Sequence, residues 1–104
     1  MNAVITIKAD GTKSVESVET IDLDFLQEAV GGYIEAVGLS SYDAVMYVNE
    51  EGILRGLPVN PEASDIAGQI LVGDVIIVGQ TNSEGEDTGL SDEQIASFLL
   101  DLPL

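Results

Sequence analysis

The stretch Ile70–Gly79, ILVGDVIIVG, decides the fold of this chain. Its second half, Val75–Val78, is an uninterrupted run of β-branched aliphatic residues that follows the turn signal Gly73-Asp74. A strand that lacks apolar–polar alternation is typical of burial on both faces of a sheet. The run is far too short to cross a bilayer as a helix. We therefore expect Val75–Gly79 to be a central strand.

Other strands are predicted on both sides of this run. Segments rich in Val, Ile and Tyr alternate with turn residues, and Asp10-Gly11 and Asn49–Gly52 are clear turn signals. Val4–Lys8 and Ser14–Glu19 are separated by a short loop, as in a hairpin. The later predicted strands are Tyr33–Val37, Tyr42–Val48 and Ile53–Leu57, the last as the strand that returns along its predecessor.

Three helices are predicted from apolar spacing and capping residues. The first begins at Asp22 and ends at Gly31-Gly32, where a left-handed glycine cap is favourable. Asn60 is a suitable N-cap before Pro61 for a short second helix that ends at Gly68. Ser91-Asp92-Glu93-Gln94 is a capping box that begins a C-terminal helix over about 92–101. Its stripe, Ile95, Phe98, Leu99 and Leu102, could pack on this domain or on a partner.

Together these elements indicate one α+β domain over residues 1–104. We expect a mixed or mainly antiparallel sheet of five to six strands, two short helices and the C-terminal helix, with the helices on one side of the sheet. Residues 80–90 are predicted to form a flexible acidic loop before the last helix. A chain of 104 residues is long enough for one core and too short for two.

Charge is the unusual property of the composition. Lys8, Lys13 and Arg55 stand against 19 carboxylates, a formal net charge of −16. Nucleic acids and anionic membranes are disfavoured as direct partners, because binding them requires clusters of Lys or Arg. A basic protein partner is favoured by steering, although surface acids also simply maintain solubility. The acids recur in turns and helix starts rather than in one block, which weakens the idea that they imitate DNA.

The residue types needed for common catalytic centres are missing. The chain has no His and no Cys, so a thiolate metal site and the usual neutral-pH general base are excluded. Glu84, Glu86 and Asp87 do not follow the spacing of an EF-hand, and neither Gly31-Gly32 nor Gly73-Asp74 fits a phosphate loop. We predict no catalytic residues, no metal site and no cofactor. The N-terminus also lacks the pattern of a signal peptide.

Three motifs resemble one known family. In order they are GYIE at 32–35, MYVNEEGILRGLPVNP at 46–61 and ILVGDVIIVG at 70–79. Over about residues 30–80 the chain resembles DUF3846, a family of small uncharacterised proteins common in actinobacterial phages and present in bacteria. Family members often carry a basic residue where this chain has Glu62. The resemblance implies a phage accessory protein in the host cytoplasm and brings no catalytic residues.

Six residues within and beside these motifs are the candidate contacts for a ligand or partner. We expect them to surround one end of the sheet: Tyr33, Tyr47, Asn49, Arg55, Asn60 and Asp74. Arg55 has two interpretations, a structural ion pair or a group that orients a ligand carboxylate or phosphate.

The function that fits best is a non-catalytic protein that binds a host protein, basic or itself nucleic-acid-binding, through an acidic surface. The alternative is a small-molecule sponge for a nucleotide signal that counters host defence. Three cations make an anionic ligand harder to hold, which places this second. A homo-oligomer is compatible with either function.

Overall fold

The computed structural model describes residues 1–100 as one sheet with helices on both of its faces. The strands are β1 (Asn2–Ile7), β2 (Lys13–Val18), β3 (Ile34–Leu39), β4 (Ala44–Asn49) and β5 (Val75–Gly79). The helices are α1 (Leu23–Val30), α2 (Pro61–Ala67) and α3 (Asp92–Leu100). No helix within residues 1–100 is long and apolar enough to cross a membrane.

The five strands form a single antiparallel sheet in the order β2-β1-β5-β4-β3. β5 lies at its centre, where Ile77 pairs with Ile5 of β1 on one side and with Met46 of β4 on the other. All five residues of β5 are buried. The predicted α+β class and the central position of Val75–Gly79 are confirmed.

Two apolar layers cover the two faces of the sheet. Ile77 packs with Ala63 of α2 and Phe98 of α3 on one face, whereas Ile76 packs with Leu26 and other residues of α1 on the opposite face. The expectation that all helices lie on one side is therefore wrong. The physical reason is β5 itself, because a strand that is apolar on both faces requires an apolar cover on both.

The C-terminal helix packs on its own domain. Phe98 has no exposed surface, and its ring stacks on that of Tyr42 with centroids 4.3 Å apart. Burial of one such side chain contributes about 1.5–3 kcal/mol. The helix ends at Leu100 within the described residues, so Leu102 of the predicted stripe lies outside them.

The helix ends follow the capping chemistry expected from the sequence. Asp22 accepts a hydrogen bond from the Phe25 N–H at the start of α1, and Gly31 ends that helix in the left-handed region with φ of 78°. At α3, the Ser91 N–H donates to the Gln94 side chain while Ser91 Oγ accepts from the Gln94 N–H. These local signals act within four residues, so the sequence alone specifies them.

The predicted strand Ile53–Leu57 is wrong. Residues 50–56 form consecutive turns, in which the Arg55 N–H donates to Glu51 and the Leu57 N–H donates to Gly52. A strand returning along β4 has no free place, because β4 is already paired with β3 on one side and β5 on the other. The aliphatic side chains of this segment consequently reach the surface.

Candidate functional site

Five of the six candidate residues belong to one end of the sheet. Asn49 is the last residue of β4 and pairs with Ile34, the first residue of β3, while Ile7 at the end of β1 pairs with Val75 at the start of β5. Tyr33 and Asp74 precede β3 and β5 directly, and the segment after β4 carries the remaining two. The sixth residue, Tyr47, instead donates a hydrogen bond from its hydroxyl to Asp87 in the acidic loop.

Asn49 and Arg55 close the C-terminal end of α1. The Asn49 Nδ2 donates to the Val30 carbonyl at 3.1 Å, and Arg55 Nη1 donates to the Gly31 carbonyl at 2.9 Å. A cation at the negative end of a helix dipole is favourable by about 0.3–1 kcal/mol. The partner of Arg55 is therefore a backbone carbonyl and not the carboxylate that the ion-pair interpretation expected. Within residues 1–100 the ion pair is Lys13–Glu62.

Gly32 makes this arrangement possible through close approach. A Cβ atom at position 32 would lie 2.9 Å from the Asn49 Nδ2 and 3.1 Å from the Arg55 Nη1. Both distances are shorter than ordinary van der Waals contact. The GG pair after α1 therefore has two separate roles, with Gly31 as the cap and Gly32 as the space for two side chains.

Asn60 is a buried connector. It has no exposed surface, its Nδ2 donates to the carbonyls of Ile7 (3.0 Å) and Gly73 (2.9 Å), and its Oδ1 accepts from the Ala63 N–H. A side chain without exposed surface cannot touch a ligand in this conformation. Asn60 joins β1, α2 and the start of β5, and so positions the loops at this end of the sheet.

Asp74, Tyr47 and Tyr33 differ in accessibility. Asp74 Oδ1 accepts from the Ala9 N–H at 3.0 Å, which ties the two chain segments that flank the β1–β5 pair. The Tyr47 hydroxyl donates to Asp87 Oδ1 at 2.6 Å, and burial together with this bond raises the pKa of Tyr47 above its ordinary value. Tyr33 is 63% exposed. Tyr33 and Arg55 are therefore the exposed candidates, whereas Tyr47 and Asp74 are half-buried and Asn49 and Asn60 are buried.

The structure has a groove beside β3 that the sequence did not predict. We call it the β3 groove; it has a volume of about 450 Å³ and is lined by Glu35–Gly38, Val48–Glu50, Ile53, Leu54 and Gln69–Val72. Three aliphatic side chains on it are unusually exposed: Ile53 by 79%, Leu54 by 89% and Ile70 by 76%. One feature of the sequence could have indicated the groove: Ile53, Leu54 and Ile70 lie in short segments bounded by glycines, where a buried strand or helix is not expected.

The groove runs along the outer strand of the sheet. β3 is hydrogen-bonded to β4 on one side, and among residues 1–100 no strand pairs with its other side. The opposite outer strand, β2, is held differently, because its Lys13 contacts both Glu62 of α2 and the Phe98 carbonyl of α3. The two edges of the sheet are thus unequal.

The charged side chains that line the groove are carboxylates. Glu35 and Glu50 line it, and none of the three cations does. Lys13 is paired with Glu62, Arg55 caps α1, and Lys8 lines a different cleft beside Phe25. The surface therefore combines exposed aliphatic side chains with a negative potential.

Three other clefts have more carboxylates on their walls than the β3 groove and lack its group of exposed aliphatic side chains. One, of about 590 Å³, has Asp10, Glu62 and Asp65 on its wall. Another, of about 510 Å³, lies between the acidic loop and the start of α1 and includes Glu19 and Glu86. Across residues 1–100 no group of three or more His, Cys, Asp or Glu side chains is arranged to hold a metal ion.

Comparison with known proteins gives a fold and a family. No curated protein matches the chain. Among solved structures, it is similar to the small RNA methyltransferase HEN1, with a TM-score of 0.62 and 18% identity, over 94% of this chain and 16% of that one. This likeness concerns the fold alone. The family model described as a domain of unknown function, DUF3846, matches residues 1–102, and the chain belongs to that family.

Proposed function

We propose that this chain is a non-catalytic binding protein for another protein, with the β3 groove as its main contact surface. One observation carries the proposal: Ile53, Leu54 and Ile70 are each more than three-quarters exposed and lie around a single groove. Isolated exposed aliphatic residues are ordinary, but a group of them on one concave surface is typical of interaction sites.

The partner we propose carries positive charge. The net charge of −16 repels nucleic acid and accelerates encounter with a basic surface, and Glu35 and Glu50 place part of that charge on the groove. The partner could itself bind nucleic acid. Family resemblance suggests a phage accessory role, so we propose a host protein as the partner and the host cytoplasm as the place.

The absence of His and Cys from the chain supports a function without catalysis. General acid–base and nucleophilic mechanisms at neutral pH rely most often on these side chains. The polar groups at the end of the sheet, such as those of Asn49 and Asn60, are directed to backbone atoms of the protein itself. They fit a scaffold for loops better than a reacting centre.

A matched pair of double variants tests the proposal. Ile53→Ser with Leu54→Ser removes exposed groove side chains, while Leu23→Ser with Val15→Ser removes exposed aliphatic residues elsewhere. A protein captured from host lysate and then purified should bind the groove variant at least about tenfold more weakly, or about 1.4 kcal/mol, by calorimetry. Equal binding by both variants and the wild type would refute the groove as the contact surface.

The alternative, a sponge for a nucleotide signal, has one favourable feature. Lys8 and Phe25 line one cleft of about 390 Å³ and could hold a phosphate and a base. Glu16, Glu28 and Asp74 line the same cleft and oppose an anion. A rise in Tm with a nucleotide that is lost in Lys8→Ala would favour this alternative over a protein partner.

A further inference from the structure

Resting on that proposed function, we infer that the partner binds as an extended segment paired with the free edge of β3. The segment carries aliphatic side chains for the β3 groove, with Lys or Arg residues on the same face of the segment. This mode of recognition takes its affinity from main-chain hydrogen bonds and its selectivity from alternate side chains.

The hydrogen bonds of β3 show which of its groups are free. The Glu50 N–H donates to the Tyr33 carbonyl in the register that continues the β3–β4 ladder. Directly bonded pairs alternate along an antiparallel ladder, so Glu35, Val37 and Leu39 direct their N–H and C=O groups toward β4. Those of Ile34, Ala36 and Gly38 consequently face away from β4. Three residues in alternate positions are thus available to an incoming strand.

The free edge of β3 has few of the features that block strand addition. β3 reads IEAVGL, with no Pro and no Lys, and Glu35 is its single charge. Natural sheets protect their edges with Lys, Pro, bulges or covering segments. Glu35, Ala36 and Gly38 are exposed, and a Cβ added to Gly38 would meet no heavy atom within 4 Å on the face of the sheet. On the opposite edge, β2 carries Lys13 and Glu16.

The groove lies on the face of the sheet that α2 and α3 cover, and core residues form its floor. Val37 of β3, Val48 of β4 and Leu71 all belong to the core layer on that face. Ile53, Leu54 and Ile70 stand above this layer at the surface and line the same groove. Every second side chain of a strand bound to β3 would point to this face. The inference therefore combines free backbone groups and exposed apolar side chains at one place.

Charge selects the occupant of the groove. A second copy would bring another net charge of −16 and another Glu35 and Glu50 to the same place. A basic segment would instead meet these carboxylates with opposite charge. We therefore assign the groove to an extended basic and aliphatic segment of a different protein.

The probe for this inference is a synthetic peptide of about seven residues, long enough to span β3, with Val or Ile at the third and fifth positions, Lys at the first and last and Thr between them, so that Lys and the aliphatic residues share one face. Binding to the full chain is measured by calorimetry. A peptide with Glu in place of Lys is the charge control. We expect the basic peptide to bind, its affinity to fall about tenfold or more at high NaCl concentration, and the acidic peptide not to bind.

Two substitutions at one residue test the pairing. Gly38→Pro removes an N–H that faces the free edge, whereas Gly38→Ala keeps it and meets no heavy atom within 4 Å. We expect Gly38→Pro to bind the peptide at least about tenfold more weakly than Gly38→Ala. A far-ultraviolet spectrum and a denaturation curve establish that both variants are folded. If Gly38→Pro does not fold, hydrogen exchange of the wild type replaces it: the Ala36 and Gly38 amides should become protected when the peptide binds.

The outcomes separate this inference from the proposed function. Loss of binding in Ile53→Ser with Leu54→Ser, but equal binding by Gly38→Pro and Gly38→Ala, would overturn strand pairing and leave the groove as a contact surface. Exchange protection elsewhere than on β3 would also overturn it. No binding of the basic peptide at millimolar concentration, or a dimer of the chain that Gly38→Pro dissociates, would overturn the assigned occupant.

Discussion

Single buried polar residues determine how the loops at one end of the sheet are held. Asn60 satisfies the carbonyls of Ile7 and Gly73, residues that lie 53 and 13 positions away in the chain, and at the same time caps α2. The amide group is suited to this role because it provides two donors and an acceptor. No aliphatic or hydroxyl side chain can replace all three interactions.

Asn60→Ala should therefore destabilise the protein strongly. The loss of a cap costs about 1 kcal/mol, and each buried carbonyl without a donor costs about 1–3 kcal/mol. We expect the free energy of unfolding to fall by about 3–5 kcal/mol in a urea titration. Asn82→Ala, which removes an exposed amide from the acidic loop, is the matched control and should change it by less than about 1 kcal/mol. Similar curves for both variants would contradict this role of Asn60.

At the level of elements, the end of α1 and the segment after β4 form one unit. α1 is eight residues long and ends at carbonyls that Asn49 and Arg55 satisfy from a distant part of the chain. A helix this short is marginal on its own, so its stability comes from packing and from such contacts. Gly32, just after α1, must lack a side chain so that Asn49 and Arg55 can reach the end of that helix.

Gly32→Ala should weaken the contacts between α1 and the segment after β4 and so destabilise the protein. The added Cβ would displace the terminal nitrogens of the Asn49 and Arg55 side chains, and the loss of their two hydrogen bonds to the end of α1 costs about 1–3 kcal/mol together. We expect a loss of that size in denaturant unfolding, whereas Gly38→Ala on β3 should have little effect or stabilise slightly. The penalty should be smaller in an Asn49→Ala background, since one of the two close neighbours is then gone. Fully additive effects would contradict the steric explanation.

For the whole molecule, electrostatic repulsion opposes folding. The chain has 19 carboxylates and a body of 33 × 29 × 21 Å, and within residues 1–100 only Lys13 forms an ion pair with a carboxylate. The Debye length is about 30 Å at 0.01 M salt and about 10 Å at 0.1 M. At low salt the charges therefore interact across the entire protein, and the same field directs a basic partner toward it.

Added NaCl should consequently stabilise the protein. Screening weakens repulsion in the compact state more than in the expanded chain, so Tm should rise by several degrees between about 0.01 and 0.5 M NaCl. Scanning calorimetry at neutral pH measures this shift. A variant with Gln at positions 84, 86 and 93 and Asn at position 92 has four fewer negative charges and should show a smaller rise. A Tm that falls with salt would contradict dominant repulsion.

The sequence by itself determined the features that act over a few neighbouring residues. The aliphatic run Val75–Val78 predicted the central strand, and Asp22, Asn60 and Ser91 marked the starts of the helices correctly. Caps and turns depend on hydrogen bonds within about four residues, so one segment contains all the information for each of them. Family membership was likewise evident from three short motifs and is confirmed over residues 1–102.

The tertiary structure decided which groups are left free. Whether Ile53–Leu57 forms a strand depends on the occupancy of β4, and the open edge of β3 exists because β5 pairs with β1 and β4 instead. Such pairings join residues far apart in the chain, and alternation of residue types does not distinguish one partner strand from another. The β3 groove and the buried connections of Asn60 arise from these choices, so only the folded chain reveals them.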